Sequence, residues 1–341
     1  MLVSVIIPAS RWDAHLERAL DSVAAQRLPD DVSVEVAVAL GEVEGAGPRP
    51  GVIVVANPGG SIPVGLNLAA RATSGEVLAR VDSRCRLPTD YLARVVAALS
   101  DPGVGSVGGA ALVVDRGVMG SAYAVAFNSP LLGPSRYRFS RTSGPTDSSY
   151  LGAWRRATFE ALDGFDERLP RNQDNDLAER VRASGLEVRY DADAVVGYVA
   201  GRSLPGTVRH HYSFGWWRMA QRRQGGRGFT ARHAVAVTIV AAAGASGLVA
   251  VSRPRTRGAA VALGIAGYLG AVGASWATAA RLRATRPDLD LAPLHPLGVV
   301  AAPALAAVLD AGWALGLLRG RRAAGHRPPV EDRGGLRADP G

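Results

Sequence analysis

The sequence predicts an α/β domain, a mostly parallel sheet flanked by helices on both faces, followed by C-terminal transmembrane helices. Three observations carry that prediction. Short β-branched runs alternate with segments of helical period from Leu2 to Tyr190, the pattern of strands joined by crossover helices. The strand runs are apolar without alternation, as in strands covered on both faces. Beyond Arg232 the composition changes to long uncharged stretches.

Leu2–Ile7 reads as a first strand stopped by Pro8, and from Asp13 the apolar Leu16, Ala19, Leu20, Val23 and Ala24 recur at helical spacing. Val32–Leu40 and Gly51–Ala56 read as the next strands, and the turn-rich Asn57–Pro63 leads into a helix over Val64–Thr73. Val77–Val81 is a short apolar strand that runs into Asp82 just where turn residues take over. A helix carrying Tyr91, Val95, Val96 and Leu99 follows, then the Gly-rich Gly103–Gly109 and a strand at Ala110–Val114. Ala122–Tyr150 shows no clear period and reads as a long irregular segment over the sheet edge. Tyr150–Leu162 resumes as strand then helix, Leu177–Ala183 is helical up to Gly185, and Glu187–Tyr190 is a strand.

The 341 residues are enough for two ordinary domains or for one domain plus a membrane region. The formal net charge is +9, all of the basic charge is arginine, and much of the excess lies between Arg202 and Arg232. Aromatic residues do not interleave with repeated basic faces, so nucleic acid is not the expected partner. Basic residues beside apolar runs mark a cytoplasmic membrane edge, with lipids as the partner. The single cysteine, Cys85, excludes a disulfide framework and a Cys-rich zinc site. Met1–Pro8 lacks the basic and long apolar regions of a signal peptide, which predicts an N-terminal domain on the cytoplasmic side.

Three uncharged runs have spanning length: Ala234–Val251 with 18 residues, Gly258–Ala280 with 23, and Leu297–Leu318, interrupted by Asp310. The expectation is two to three crossings. Three crossings from a cytoplasmic start would put Arg253, Arg255, Arg257 and the Arg319–Arg322 cluster outside, against the positive-inside tendency. The predicted division is therefore residues 1–218 as the α/β domain, 219–233 as a basic juxtamembrane segment, 234–318 as the membrane region and 319–341 as a disordered tail.

Two carboxylates stand out. Asp82 ends a strand, and ligands of open α/β sheets bind beyond the carboxyl ends of strands. It either caps the turn before Pro88 or faces a metal or sugar nucleotide. The second lies in Arg171-Asn172-Gln173-Asp174-Asn175-Asp176, ahead of an amphipathic helix. Capping accounts for one residue, most economically Asp176 or Asn175. It leaves Asp174 available as a base for displacement at a sugar carbon.

Taken together these pieces resemble a family 2 glycosyltransferase of the Rossmann-like GT-A fold, closest to the membrane-bound succinoglycan-biosynthesis glucosyltransferases of the ExoA type. The residues that carry the resemblance are Val3–Pro8 with Leu20-Asp21-Ser22 and Gln26; Asn57-Pro58 with Leu66-Asn67; Gly75-Glu76 with Arg80-Val81-Asp82; Gly152 with Arg155-Arg156; Gly164–Glu167; Arg171–Asp174 with Leu177 and Arg180; and Tyr212, Gly215, Trp217 and Arg218. They run in order over roughly two thirds of the chain.

The resemblance implies inversion at the anomeric carbon of a nucleotide diphosphate sugar, expected to be a uridine diphosphate sugar, with a lipid-linked saccharide or polysaccharide as acceptor. It implies Asp174 as general base and Asp82 as the residue of the metal and diphosphate motif, with Mg2+ or Mn2+ as cofactor. Pro8, Asn67, Arg80, Arg84 and Arg218 are implied on the nucleotide-sugar side. Gly152, Arg171, Asn172 and Gln173 are implied on the acceptor side. Arg218 has an alternative role, lying at the membrane edge with its charge in the headgroups.

Two departures stand against the pattern. Where an acidic pair follows the second strand, this chain reads Val38-Ala39-Leu40-Gly41-Glu42, leaving Glu42 or Glu44 as substitutes. Two residues beyond Asp82 stands Arg84, which cannot ligate a metal but can neutralise diphosphate. A degraded domain serving as a binding or assembly subunit of polysaccharide export is the alternative function. A dinucleotide oxidoreductase lacks its Gly-rich turn, since Pro8-Ala9-Ser10-Arg11 stands after the first strand.

Overall fold

The computed structural model describes residues 1–43, 49–128, 140–148, 150–200, 203–223, 257–284 and 291–320. Three parallel neighbours start the sheet: β1 (Leu2–Ala9) lies between β2 (Ser33–Leu40) and β4 (Val77–Arg80), and β3 (Val52–Ala56) forms the edge beyond β2. On the other side of β4 comes β8 (Tyr150–Arg155), antiparallel to both β4 and β6 (Val104–Val113). Then β9 (Glu187–Tyr198) pairs parallel with β6, while β5 (Cys85–Arg86) and β7 (Gly144–Pro145) add to β9 antiparallel. The order is β3-β2-β1-β4-β8-β6-β9-β5, a mixed sheet.

Alternate side chains of β1 feed two cores, as strand geometry requires. Val3, Val5 and Ile7 pack with α1 (Ala14–Ala24) through Leu16 and Leu20, and with α3 (Tyr91–Leu99) through Tyr91, Leu92 and Val95. Ile6 faces the other core, with Leu66 of α2 (Ile62–Arg71), Phe159 of α5 (Arg156–Ala161) and Leu177 of α6 (Gln173–Ala183). Helices thus cover both faces, as expected. Asp13 starts α1 by accepting hydrogen bonds from the N–H groups of His15 and Leu16.

Four local expectations are corrected. The first strand does not stop at Pro8 but continues to Ala9. At Pro8 the strand pairs with Ala39 of β2 alone, because its register with β4 has ended at Ile6. The Gly-rich stretch is the body of β6, because β9 crosses it closely. A Cβ on Gly109 would lie 1.7 Å from the carbonyl oxygen of Ala194, and one on Gly105 2.7 Å from Leu186 and Val181. Within the segment read as irregular, α4 (Gly117–Phe127) is a helix. It is buried over most of its length and so shows no amphipathic period. Finally, α6 begins at Gln173, four residues before the expected start, which puts Asp174 inside its first turn.

After β9, α7 (Leu204–Arg223) runs through residue 218, the expected domain boundary. Two further helices are long and apolar enough to cross a membrane. They are α8 (Arg257–Ala284), with its apolar span over Arg257–Arg281, and α9 (Pro296–Gly320). The run Ala234–Val251 and the tail after Gly320 lie outside the described residues. The two helices differ. Leu263, Ile265, Leu269 and Trp276 of α8 are open, whereas α9 buries glycines and alanines together with Leu305 and Leu309 and leaves Leu297, Val300 and Leu318 open. A Cβ on Gly316 would lie 2.0 Å from the carbonyl of Tyr212, one on Gly215 2.0 Å from that of Trp313, and one on Gly298 2.3 Å from that of Val118. Those glycines let three backbones touch, the packing mode of helices in lipid.

Candidate active site

The carboxyl ends of β1, β4, β6 and β9 form one rim. At the end of β4 the chain stays tied to β1 by a hydrogen bond from Val81 N to the carbonyl of Ile6, then turns, with Cys85 N donating to the carbonyl of Asp82 at 3.0 Å. Arg80 is buried, and its Nε and Nη2 both approach Oδ1 of Asp82, at 2.9 and 2.8 Å. Burial works against a charge on Arg80, but the fields of Asp82 and then Asp174 more than offset it, and its pKa rises. Two carboxylates distant in sequence therefore act on one guanidinium. Beneath them Cys85 Sγ lies 3.0 Å from the Tyr150 hydroxyl, and the Tyr91 hydroxyl donates to the carbonyl of Leu151 at 2.7 Å. Burial pushes the thiol and both phenols up, so this floor is neutral.

The first turn of α6 carries two acids with different surroundings. Asp176 is paired with Arg180 at 2.7 Å, and Arg180 also donates to the carbonyl of Leu162. Asp174 forms no salt bridge among the described residues, and its Oδ1 accepts from the backbone N–H of Asn175 at 2.8 Å. The cap is neither Asp176 nor Asn175 but Asn172, left-handed at φ 62 and making no side-chain cap bond. Asn172 and Gln173 are buried beside Asp174, and Asn172 Nδ2 has no hydrogen-bond partner among the described residues.

The chain is 25% identical over 213 residues to the succinoglycan biosynthesis protein ExoA of Rhizobium meliloti (strain 1021), covering 59% of this chain and 64% of that protein. It thus spans less than two thirds of that relative's length. Among solved structures, the mannosyltransferase PcManGT from Pyrobaculum calidifontis, in complex with GDP-Man and Mn2+, superposes with a TM-score of 0.52. That likeness has 19% identity and covers 94% of this chain and 86% of the other. No family model matches the chain. The fold is GT-A. The resemblance to family 2 glycosyltransferases read from the sequence is borne out.

Within the GT-A fold, the other expected site residues fall into three groups. Pro8, Arg80, Asp82 and Arg84 stand together at the rim. Arg84 is half-buried, and its Nη2 is 3.4 Å from Nε2 of His15. Burial first and the field of Arg84 second push the pKa of His15 down, while Arg18 Nη2 lies 3.2 Å from its Nδ1. Asn67 and Gly152 serve the framework. Asn67 Nδ2 donates to the carbonyl of Phe165 at 2.9 Å and to Glu167 at 3.0 Å, and its Oδ1 accepts from Phe165 N. It thereby ties α2 to the loop leading towards Asp174. A Cβ on Gly152 would meet the Trp154 ring at 2.5 Å, so that glycine makes room for an indole.

Arg171 lies over the Phe214 ring of α7, 5.8 Å from its centroid. Arg218 follows Phe214 by four residues and so shares its face of the helix. An aromatic arc, assembled from residues far apart in the chain and so not legible as a motif, closes this side. It passes from Tyr150 to Tyr198 (6.0 Å between centroids), Phe127 (6.4 Å) and His211 (6.4 Å), with His210 against Phe214 at 4.6 Å. Tyr150 touches the floor below Asp82 and Phe214 touches Arg171, so the arc joins the two carboxylate sides.

The end of β2 offers no buried acid: Gly41 N and Glu42 N donate to the carbonyls of Ala9 and Ser10, and Glu42 is exposed. Glu44 lies outside the described residues. The donor set does not fit a divalent cation held by the protein. Oδ1 of Asp82 is taken by two N–H groups of Arg80, the residue two further on is a cation, and no cluster of three or more His, Cys, Asp or Glu able to hold a metal occurs among the described residues. A cavity of about 440 Å³ bounded by Met1, Glu76, Leu99 and Arg156 lies at the opposite end of β4 and has no part in this site.

Proposed function

We propose that the protein is an inverting glycosyltransferase. It moves a sugar from a nucleotide diphosphate sugar, with uridine diphosphate as the leading carrier, to a lipid-linked saccharide or polysaccharide at the cytoplasmic face of the membrane. The observation that supports this reading is the pair of carboxylates in different settings: Asp82 held by the buried Arg80 at the end of β4, and Asp174 in the first turn of α6 with no salt bridge among the described residues. In this reading Asp174 is the base side and Asp82 the donor side.

In this reading Asp174 takes the proton of an acceptor hydroxyl. The oxygen attacks the anomeric carbon from the face opposite the diphosphate, the carbon–oxygen bond to phosphate breaks, and the diphosphate leaves with the bonding electrons. Asp174 is suited to the step because no cation holds its carboxylate in a salt bridge among the described residues, unlike Asp176. Asn172 offers a buried N–H donor next to it, suited to orienting the acceptor. Guanidinium groups at the rim meet the charge that grows on the departing diphosphate. Docking of α9 on α4 and α7 supports a membrane-bound acceptor, because it fixes the cleft beside the apolar helices.

The exposed Glu42 in place of a buried acid after β2 favours a second reading, a domain that binds donor without turning it over. Membranes containing the protein, incubated with radiolabelled UDP- and GDP-sugars, separate the two. Label entering the lipid or polysaccharide fraction supports transfer. Donor retained by the protein with no labelled product supports the binding subunit.

A further inference from the structure

We propose that the donor's diphosphate is held in this site by guanidinium groups in place of a divalent cation, with Arg84 as the phosphate-binding residue. The inference rests on the transferase reading above and specifies how that site handles charge.

Three observations carry it. Asp82, the carboxylate best placed for an ion, already has one oxygen engaged by Nε and Nη2 of Arg80, so an incoming cation competes with a buried guanidinium for it. The position two residues on holds Arg84, which brings a positive charge where a second acidic ligand would bring a negative one. Asp82 with Arg80 and Arg84 then carries a net charge of +1 with no ion, the sign that attracts an anionic diphosphate. A site arranged in this way presents the diphosphate with fixed N–H donors rather than exchangeable coordination positions.

Arg84 is placed rather than loose. Its Nη2 faces Nε2 of His15 at 3.4 Å, across a separation of 69 residues in sequence. His15 is fixed in turn at the start of α1, where its backbone N–H donates to the Asp13 side chain at 2.9 Å. The groups facing the imidazole are Arg84, Arg18, Asp13 and Asp115. A neutral imidazole accepts a guanidinium N–H, whereas an imidazolium has no acceptor and repels it. In the tautomer with its proton on Nδ1, neutral His15 accepts from Arg84 at Nε2, in competition with the Arg18 guanidinium 3.2 Å from Nδ1.

The test is calorimetric titration of the full chain in detergent with UDP and with GDP, in EDTA and again in excess Mn2+. The expected result is binding of at least one diphosphate with affinities within about twofold in the two conditions. Arg84→Ala should weaken that binding about tenfold or more in both. Arg84→Asp should bind poorly in EDTA and recover with Mn2+, because it restores a two-carboxylate site. Thermal melts of each variant check that it is folded, and Arg84→Lys, which keeps the charge, should retain part of the affinity. Wild-type binding that disappears in EDTA and returns with Mn2+ overturns the inference while leaving the transferase reading intact. Wild-type affinity in Arg84→Ala overturns it too. Failure of both diphosphates to bind in either condition overturns the donor site itself, and this inference with it.

Discussion

Arg80 holds Oδ1 of Asp82 with two N–H groups, Nε at 2.9 Å and Nη2 at 2.8 Å, from a position two residues earlier on the same strand end. Successive strand residues point to opposite faces and residues two apart to the same one, so both side chains emerge together at the rim. The pair is well shielded, with side-chain exposures of 11% and 26%. Arg80→Ala leaves Asp82 without its partner. The expected loss is about 2–3 kcal/mol, below the roughly 3–5 of a fully buried pair because Asp82 keeps some water contact. Urea denaturation of the two proteins in the same detergent measures it.

Arg156 is expected to act on stability and not on donor binding. Its guanidinium donates to the carbonyls of Gly75 and Ala70 at 2.6 and 2.9 Å and to the hydroxyls of Thr73 and Ser4 at 3.1 and 3.2 Å. Glu35 completes the network by accepting from Ser4 and from the N–H groups of Ser74 and Gly75. Arg156→Ala should lower stability by about 2–4 kcal/mol, since charged hydrogen bonds are worth about 1.5–3 each in favourable cases and water replaces some of them. Nucleotide affinity of the folded variant should match that of wild type.

His15 gives the fold a pH dependence of defined sign. Burial and then the neighbouring Arg84 push its pKa below the ordinary 6.5. The unfolded chain therefore binds the proton first as pH falls, and stability declines below about 6.5 until the folded-state pKa is passed. His15→Gln removes that titration, so its melting temperature should vary less than the wild type's between pH 7.5 and a pH of about 5.

The glycines between α7 and α9 are expected to tolerate no side chain. Gly316→Ala places a methyl group where the Tyr212 carbonyl now lies 2.0 Å from the ideal Cβ position. Overpacking of this kind costs about 1–3 kcal/mol. Limited proteolysis should cut α7 faster in Gly316→Ala than in the wild type, and Gly264→Ala, on the open α8, should show wild-type cleavage.

The sheet and its flanking helices were legible because β-branched runs and helical periods are local signals, and Asp82 stood out because a strand ended on it. Asp174 is legible in its motif, yet its place within the first turn of α6 depends on Asn172 taking the left-handed conformation, which is uncommon outside glycine although Asn is among the residues that adopt it most. The helix carrying Phe127 was hidden because it is buried on nearly every side and so has no polar face to give it a period. Asn67 could not be assigned from its neighbours, since the groups it bonds lie 98 and 100 residues away. The same distance in sequence concealed His15, whose importance comes from Arg84, and the aromatic arc, which is assembled from separate elements.

Single-turnover transfer by Asp174→Asn, measured beside its affinity for the nucleoside diphosphate that the wild type binds, tests the central claim most directly. The account predicts a fall in turnover of about a hundredfold or more with donor affinity nearly unchanged, because the variant keeps the shape of the site and loses only the base. Turnover equal to that of the wild type would contradict it.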